Sequence, residues 1–119
     1  MLLLAAALLA FTPGIRTPSG NISCFVSHDV LHCELRRADY RPRCVDLDWH
    51  GFEMTARGRV QVTCSGGVLY DSPPRYRTLA YGRTWRFGPF ACHSERRGLT
   101  CRNAAGHELF VSRQSWSRR

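Results

Sequence analysis

The clearest pattern along the chain is a pair of alternating segments, Ile22-Ser23-Cys24-Phe25-Val26 and Leu31-His32-Cys33-Glu34-Leu35, joined by a short polar link. Alternation with a period of two marks strands with one buried face, so the two segments predict a β-hairpin. One register sets Cys24 opposite Cys33, Ile22 opposite Leu35 and Val26 opposite Leu31, which gathers the aliphatic side chains and both sulfurs on one face. Ser23, Phe25, His32 and Glu34 then share the other face, and a slip of one residue scatters the set. His28-Asp29 is not an ideal pair for a two-residue turn, so a longer turn is allowed for.

The same spacing recurs from Cys92 to Cys101, with Gly98 as the turn residue and Phe90 and Leu99 as apolar companions of the sulfurs, which predicts a second hairpin. Between the two, Val60-Gln61-Val62-Thr63-Cys64 alternates as a central strand, Gly66-Gly67 turns the chain, and Val68-Leu69-Tyr70 reads as the return strand. Pro73-Pro74 forces an extended loop. Leu79-Ala80-Tyr81 and Thr84-Trp85-Arg86-Phe87 read as short strands broken by Gly82, and His107 to Ser112 closes the sheet. No helical period persists after the apolar leader described below. The expected fold class is therefore all-β, a small disulfide-stapled sheet sandwich or partly open barrel built from hairpins.

Composition sharpens this picture at three points. Six cysteines in 119 residues suit an oxidising compartment, where cross-links supplement a thin core. Hairpin register pairs Cys24 with Cys33, equal spacing pairs Cys92 with Cys101, and Cys44 with Cys64 is the remainder. Met1 to Phe11 is an uncharged apolar run of signal-peptide length, too short to span a bilayer. Residues 1–10 are thus read as a signal peptide that lacks its basic start, with Ala10 as the cleavage position, residues 17–113 as a single β domain and residues 114–119 as a flexible tail. A secreted or cell-envelope location follows, with no transmembrane segment in the mature protein and no lipid anchor on Cys24.

Net charge is +8, and every one of the seventeen basic residues is arginine. Arginine-only usage beside abundant Ala and Gly reflects coding preference as much as function, so it does not single out nucleic acid as the partner. The asymmetry is more informative. Residues 1–59 carry seven Arg against six acids, whereas residues 60–119 carry ten against three.

Three segments, T-P-S-G-N-I-S-C at Thr17 to Cys24, L-A-Y-G-R-T-W-R-F-G-P-F-A-C at Leu79 to Cys92 and G-L-T-C-R-N-A-A-G-H-E-L-F-V-S-R at Gly98 to Arg113, together resemble a domain-of-unknown-function family. Its members are small exported proteins of mycobacteria and related actinobacteria. The resemblance implies export and cysteine pairing and carries no activity with it. Members usually have a second glycine after the histidine, where this chain has Glu108.

Candidate chemistry is sparse. The cysteines form no Cys-x-x-Cys pair and the histidines no His-x-x-x-His pair, so neither a metal nor another cofactor is expected. Arg75, Arg83, Trp85, Arg86, Arg102 and His107 are the candidate binding residues, because arginine interleaved with aromatic side chains suits anionic or stacked ligands. In the plainer account Trp85 and Phe87 belong to the core, while Arg83 and Arg86 are solvated. The leading expectation is a non-enzymatic envelope domain that meets anionic envelope polymers, phospholipid headgroups or a protein partner through its arginine-rich second half. The alternative is a small secreted hydrolase such as a ribonuclease, using His50, Glu53, Arg57 and His107, although no motif orders those residues. Self-association of a purely structural module is the third expectation.

Overall fold

The computed structural model describes residues 13–45, 48–65 and 76–119. The leader at residues 1–10, the Gly66-Gly67 turn, the return strand at Val68-Leu69-Tyr70, the Pro73-Pro74 loop and Arg75 lie outside the described residues.

Two antiparallel-built sheets pack face to face, with no helix among the described residues and no barrel closure. The first contains β1 (Gly14–Arg16), β2 (Ile22–Ser27), β3 (Val30–Leu35), β4 (Asp48–Thr55), β5 (Gln61–Ser65) and β6 (Arg77–Thr78), in the order β5-β4-β3-β2-β1-β6. The second contains β7 (Thr84–Phe87), β8 (Phe90–Glu95), β9 (Gly98–Arg102), β10 (Glu108–Val111) and β11 (Trp116–Arg118), in the order β11-β10-β9-β8-β7. The chain completes the first sheet before it starts the second. Among the described strands only the β1/β6 pair is parallel.

The first hairpin adopts the expected register, with Ile22 opposite Leu35, Cys24 opposite Cys33 and Val26 opposite Leu31. Its turn is tighter than the sequence suggested. Ser27 pairs with Val30 across two residues, and His28 and Asp29 both take positive φ, 52° and 61°, the backbone of a type I′ turn. The second hairpin sets Cys92 opposite Cys101 and turns through Arg96 and Arg97.

All three cysteine pairs are disulfides: Cys24–Cys33, Cys44–Cys64 and Cys92–Cys101. The two hairpin disulfides meet at the centre of the molecule, where Sγ of Cys33 lies 4.0 Å from Sγ of Cys101. Ile15, Ile22, Leu31, Phe52 and Met54 from the first sheet and Phe90, Leu99, Leu109 and Val111 from the second complete a core that excludes water around them. The sulfurs thus occupy the place that larger aliphatic side chains take in a bigger domain.

Several elements differ from the sequence expectation. β4 was not foreseen, because a bulge between Trp49 and Gly51 breaks its alternation and leaves both Trp49 and Phe52 packed on the core. Leu79 to Tyr81 is a connection rather than a strand, although Leu79 is buried and its N–H donates to the Arg16 carbonyl. Residues 114–119, expected as a flexible tail, instead supply the edge strand β11. Trp116 explains the difference, since its ring packs at a tilt 4.6 Å from that of Phe52 and so draws the end of the chain onto the core. Trp85 packs partly buried against the core and stacks on Phe87 at 5.9 Å, while Arg83 and Arg86 are exposed.

One side chain fastens the two sheets at one end. Asn103, only 4% exposed, donates through Nδ2 to the carbonyls of Thr55 (3.0 Å) and Gly58 (2.7 Å) in the β4–β5 turn. Its Oδ1 accepts the N–H groups of Ala105 (3.1 Å) and His107 (3.0 Å) in the β9–β10 turn. Both amide protons and both lone pairs are used, so no smaller side chain can substitute. Asn103→Ala is expected to cost roughly 2 to 4 kcal/mol, because several part-buried groups lose their partners together. Urea unfolding of the variant measures this, and a loss under about 0.5 kcal/mol would remove the clamp from the account.

Candidate anion-binding cleft

At the end of the sandwich opposite the Asn103 clamp, the strand ends of both sheets surround an open cleft of about 690 Å³. Among the described residues, five arginines line it, Arg36, Arg37, Arg96, Arg97 and Arg113, with Glu95 as the single carboxylate.

The first wall is built by the Thr17–Asn21 turn. The Thr17 hydroxyl accepts the Ile22 N–H at 3.2 Å, and Gly20 takes the positive φ (75°) that closes the turn. Asn21 is thereby aimed at the chain leaving β3, where its Nδ2 donates to the Arg37 carbonyl at 3.0 Å and its Oδ1 accepts the Arg37 N–H at 2.8 Å. The Arg36 N–H donates to the Asn21 carbonyl at 2.9 Å. With their backbone fixed, Arg36 and Arg37 place exposed side chains at the cleft.

The opposite wall comes from the second sheet. Arg96 and Arg97 form the tip of the β8–β9 hairpin and Arg113 lies in the β10–β11 turn. The segment after β3 ties the walls together, because the Tyr40 hydroxyl donates to the Ser112 carbonyl (2.7 Å) and the Asp39 N–H to the Arg113 carbonyl (2.8 Å). Burial of that phenol pushes its pKa up to about 12, so it stays a donor throughout the ordinary pH range.

The guanidiniums are unequally neutralised. Arg97 reaches Glu95 at 3.3 Å and lies 4.8 Å over the Phe110 ring, and Arg113 reaches Asp39 at 3.4 Å. Arg96 lies 5.1 Å over the Tyr81 ring. Arg36, Arg37 and Arg96 have no carboxylate partner among the described residues. Several like charges around one concavity repel each other and focus a positive potential into it, which an anion relieves.

Of the candidate binding residues named from sequence, the five that are described lie elsewhere. Arg86 and Arg102 flank Ala91 on the outer face of the second sheet, and Arg102 is held by Glu108 at 2.9 Å. Glu108 also takes Arg119 at 3.1 Å, and these two guanidiniums hold its carboxyl below the usual range. Trp85 sits opposite Cys92 at the margin of the core, Arg83 is in the connection before β7, and His107 is in the turn at the clamp end. None of these five lines the cleft. A signal for the cleft arginines does exist in the sequence. A strand of each disulfide hairpin runs out into a double arginine, as Cys33-Glu34-Leu35-Arg36-Arg37 and as Cys92-His93-Ser94-Glu95-Arg96-Arg97.

The residues considered for hydrolysis are dispersed. Glu53 pairs with His32 at 3.2 Å on the outer face of the first sheet, Arg57 and His107 lie at the clamp end, and His50 lies at the cleft end beside the bulge. Among the described residues, the one group of metal-ligand side chains close enough to share an ion is Cys24, Cys92 and Cys101, whose sulfurs are bound in disulfides.

A second, smaller recess of about 530 Å³ shares Arg36 with the cleft and is lined also by Glu34, Tyr40, Trp49 and His50. Glu34 is only 7% exposed, and burial raises its carboxyl from 4.5 to about 7. A carboxyl whose folded pKa is raised favours folding below pH 4.5 and loses that advantage as pH climbs through 7. Burial also lowers the His32 pKa, partly offset by Glu53, and works in the opposite sense, weakening the fold as pH falls below 6.5. Glu34→Gln is therefore expected to raise stability at pH 8 by roughly 2 kcal/mol and to leave it nearly unchanged at pH 4. Thermal melts at both pH values decide this, and an equal shift at each would remove the titration from the explanation.

No helix among the described residues is long and apolar enough to cross a membrane. Neither the curated proteins nor the solved structures contain a match to this chain. A family model does match, over residues 20–118, which span the cleft walls from Asn21 onward, all three disulfides and the clamp. The chain accordingly belongs to DUF6636, a family of unknown function.

Proposed function

We propose that the protein is an exported binding domain of the cell envelope or extracellular space whose arginine cleft holds an anionic ligand. The observation that carries the reading is the set of three guanidiniums, Arg36, Arg37 and Arg96, that face one cleft without a carboxylate partner among the described residues. Arginines kept together at a cost in mutual repulsion, on backbone fixed by Asn21 and by the cross-links to Ser112 and Arg113, form a preorganised anion site. Three disulfides are compatible with an oxidising compartment, and the apolar run at residues 1–10 supports export, with cleavage near Ala10.

Calorimetric titration with inorganic tripolyphosphate tests the reading. Binding is expected to weaken steeply between low and high salt, as charge pairing does. Arg36→Ala combined with Arg37→Ala should weaken it roughly tenfold or more, since two charge-assisted contacts go at once. Arg86→Ala combined with Arg102→Ala removes equal charge from the outer face and should leave affinity nearly unchanged. Equal loss in both double variants would reduce the site to diffuse net charge, and absence of binding would end the proposal.

A further inference from the structure

The cleft arginines arrive from both sheets, and this bears on the kind of anion they hold. Arg36 and Arg37 lie at the end of the first sheet, whereas Arg96, Arg97 and Arg113 lie on two turns of the second. A cleft of about 690 Å³ falls within the roughly 300 to 1,000 Å³ of sites that enclose whole small molecules, far more room than a single phosphate fills. One small anion against one wall leaves the guanidiniums of the other wall unsatisfied. A chain carrying several anions reaches both.

Two further observations narrow the chemistry. Among the described residues, the aromatic rings near the cleft each have one face occupied by a cleft arginine, Tyr81 by Arg96 at 5.1 Å and Phe110 by Arg97 at 4.8 Å, which leaves less ring surface to stack on a base. Guanidiniums approaching from separate elements suit the tetrahedral spread of phosphoryl oxygens better than the two coplanar oxygens of a carboxylate. Ser19, Tyr81 and Gln114 add neutral polar groups to the lining, which suit the hydroxyls of a spacer between charges.

Building on the anion-site reading above, we infer that the ligand is a linear phosphate polymer with non-aromatic repeating units, bound so that successive phosphates bridge the Arg36–Arg37 wall and the Arg96–Arg97 wall. Binding of one phosphate then raises the effective concentration of the next, and affinity grows with chain length until both walls are occupied.

The test uses the whole protein and a series of probes: orthophosphate, linear polyphosphates of increasing length, oligodeoxythymidylate and polyglutamate, the last two matched in charge to the longest polyphosphate. Affinity is expected to rise roughly a hundredfold or more from orthophosphate to the longer polyphosphates. Arg36→Ala with Arg37→Ala, and separately Arg96→Ala with Arg97→Ala, should each flatten that rise and bring the long chains toward the orthophosphate value. All four side chains are exposed, so the variants keep the core and the disulfides, which near-ultraviolet dichroism checks. Orthophosphate binding as tightly as the polymer would overturn the bridging inference while leaving the anion site standing. Tighter binding of oligodeoxythymidylate would overturn the non-aromatic repeat, and equal binding of polyglutamate would overturn the preference for phosphate. If no anion of any length binds, the inference falls together with the reading beneath it.

Discussion

Replacing Cys92 and Cys101 together by alanine is expected to cost roughly 4 to 6 kcal/mol, enough to leave the protein largely unfolded at 37 °C. Two effects add. Releasing the cross-link restores loop entropy to the unfolded chain, about 3 kcal/mol for a closed loop of this size. Removing both sulfurs also opens a void where the two hairpin disulfides meet, beside Cys33 at 4.0 Å. Cys24→Ala with Cys33→Ala should behave alike, because that bridge closes an equal loop and is equally buried. The Cys44–Cys64 bridge closes a longer loop, at a sequence separation of 20 against 9, yet both of its cysteines are only half-buried. Loop entropy alone ranks Cys44–Cys64 as the costliest to lose, whereas packing ranks the hairpin bridges above it. Urea midpoints of the three double variants separate the two accounts, and the entropic order would refute the packing argument.

Gly51→Ala should be the most damaging single substitution in the first sheet, at about 4 kcal/mol or more. Gly51 sits at the bulge of β4 with φ of 124°, and a β-carbon there would overlap the carbonyl oxygen of Cys33 in β3. The obstacle is backbone, so no side-chain rotation relieves it. Either β4 moves away from β3 or the Cys33 peptide shifts, and the second course disturbs the disulfide core. Gly82→Ala provides the contrast, since its φ of 82° is also left-handed but a β-carbon meets nothing within 4 Å. That change costs only backbone strain, roughly 1 to 2 kcal/mol. Melting temperatures of the two variants within a few degrees of each other would show that the close approach of β4 to β3 is not limiting.

The first hairpin was legible down to its register because its two strands alternate without interruption and a cysteine in each strand marks the same pleat. The second hairpin followed from the cysteine spacing with Phe90 and Leu99 as companions, although its turn lies at Arg96 and Arg97, and Gly98 opens β9 instead of forming the turn. β4 was hidden because its bulge places Trp49 and Phe52, three residues apart, against the same core, a pattern that fits neither strand nor helix over so short a stretch. β1 and β11 escaped for another reason. Each is three residues long and carries one apolar side chain that packs on the core, Ile15 or Trp116, too little for any period to register. The part that Asn103 plays in its own turn is local, but its task of holding the β4–β5 turn depends on a partner more than forty residues away.

Local order in the sequence thus determined the strands that alternate, the two hairpin disulfides and the all-β class, because periodicity and cysteine spacing report which side of a strand faces the interior, and Cys44–Cys64 followed as the remaining pair. The cleft was decided only in three dimensions. Charge asymmetry pointed to the second half of the chain, yet Arg36 and Arg37 come from the first half and join Arg96, Arg97 and Arg113 only when the sheets stack. A strand's pattern states that it has a buried face and is silent about which other sheet will cover it. The stacking of the two sheets brings the two double arginines to the same end of the sandwich, and that juxtaposition is a property of the packed core rather than of either hairpin.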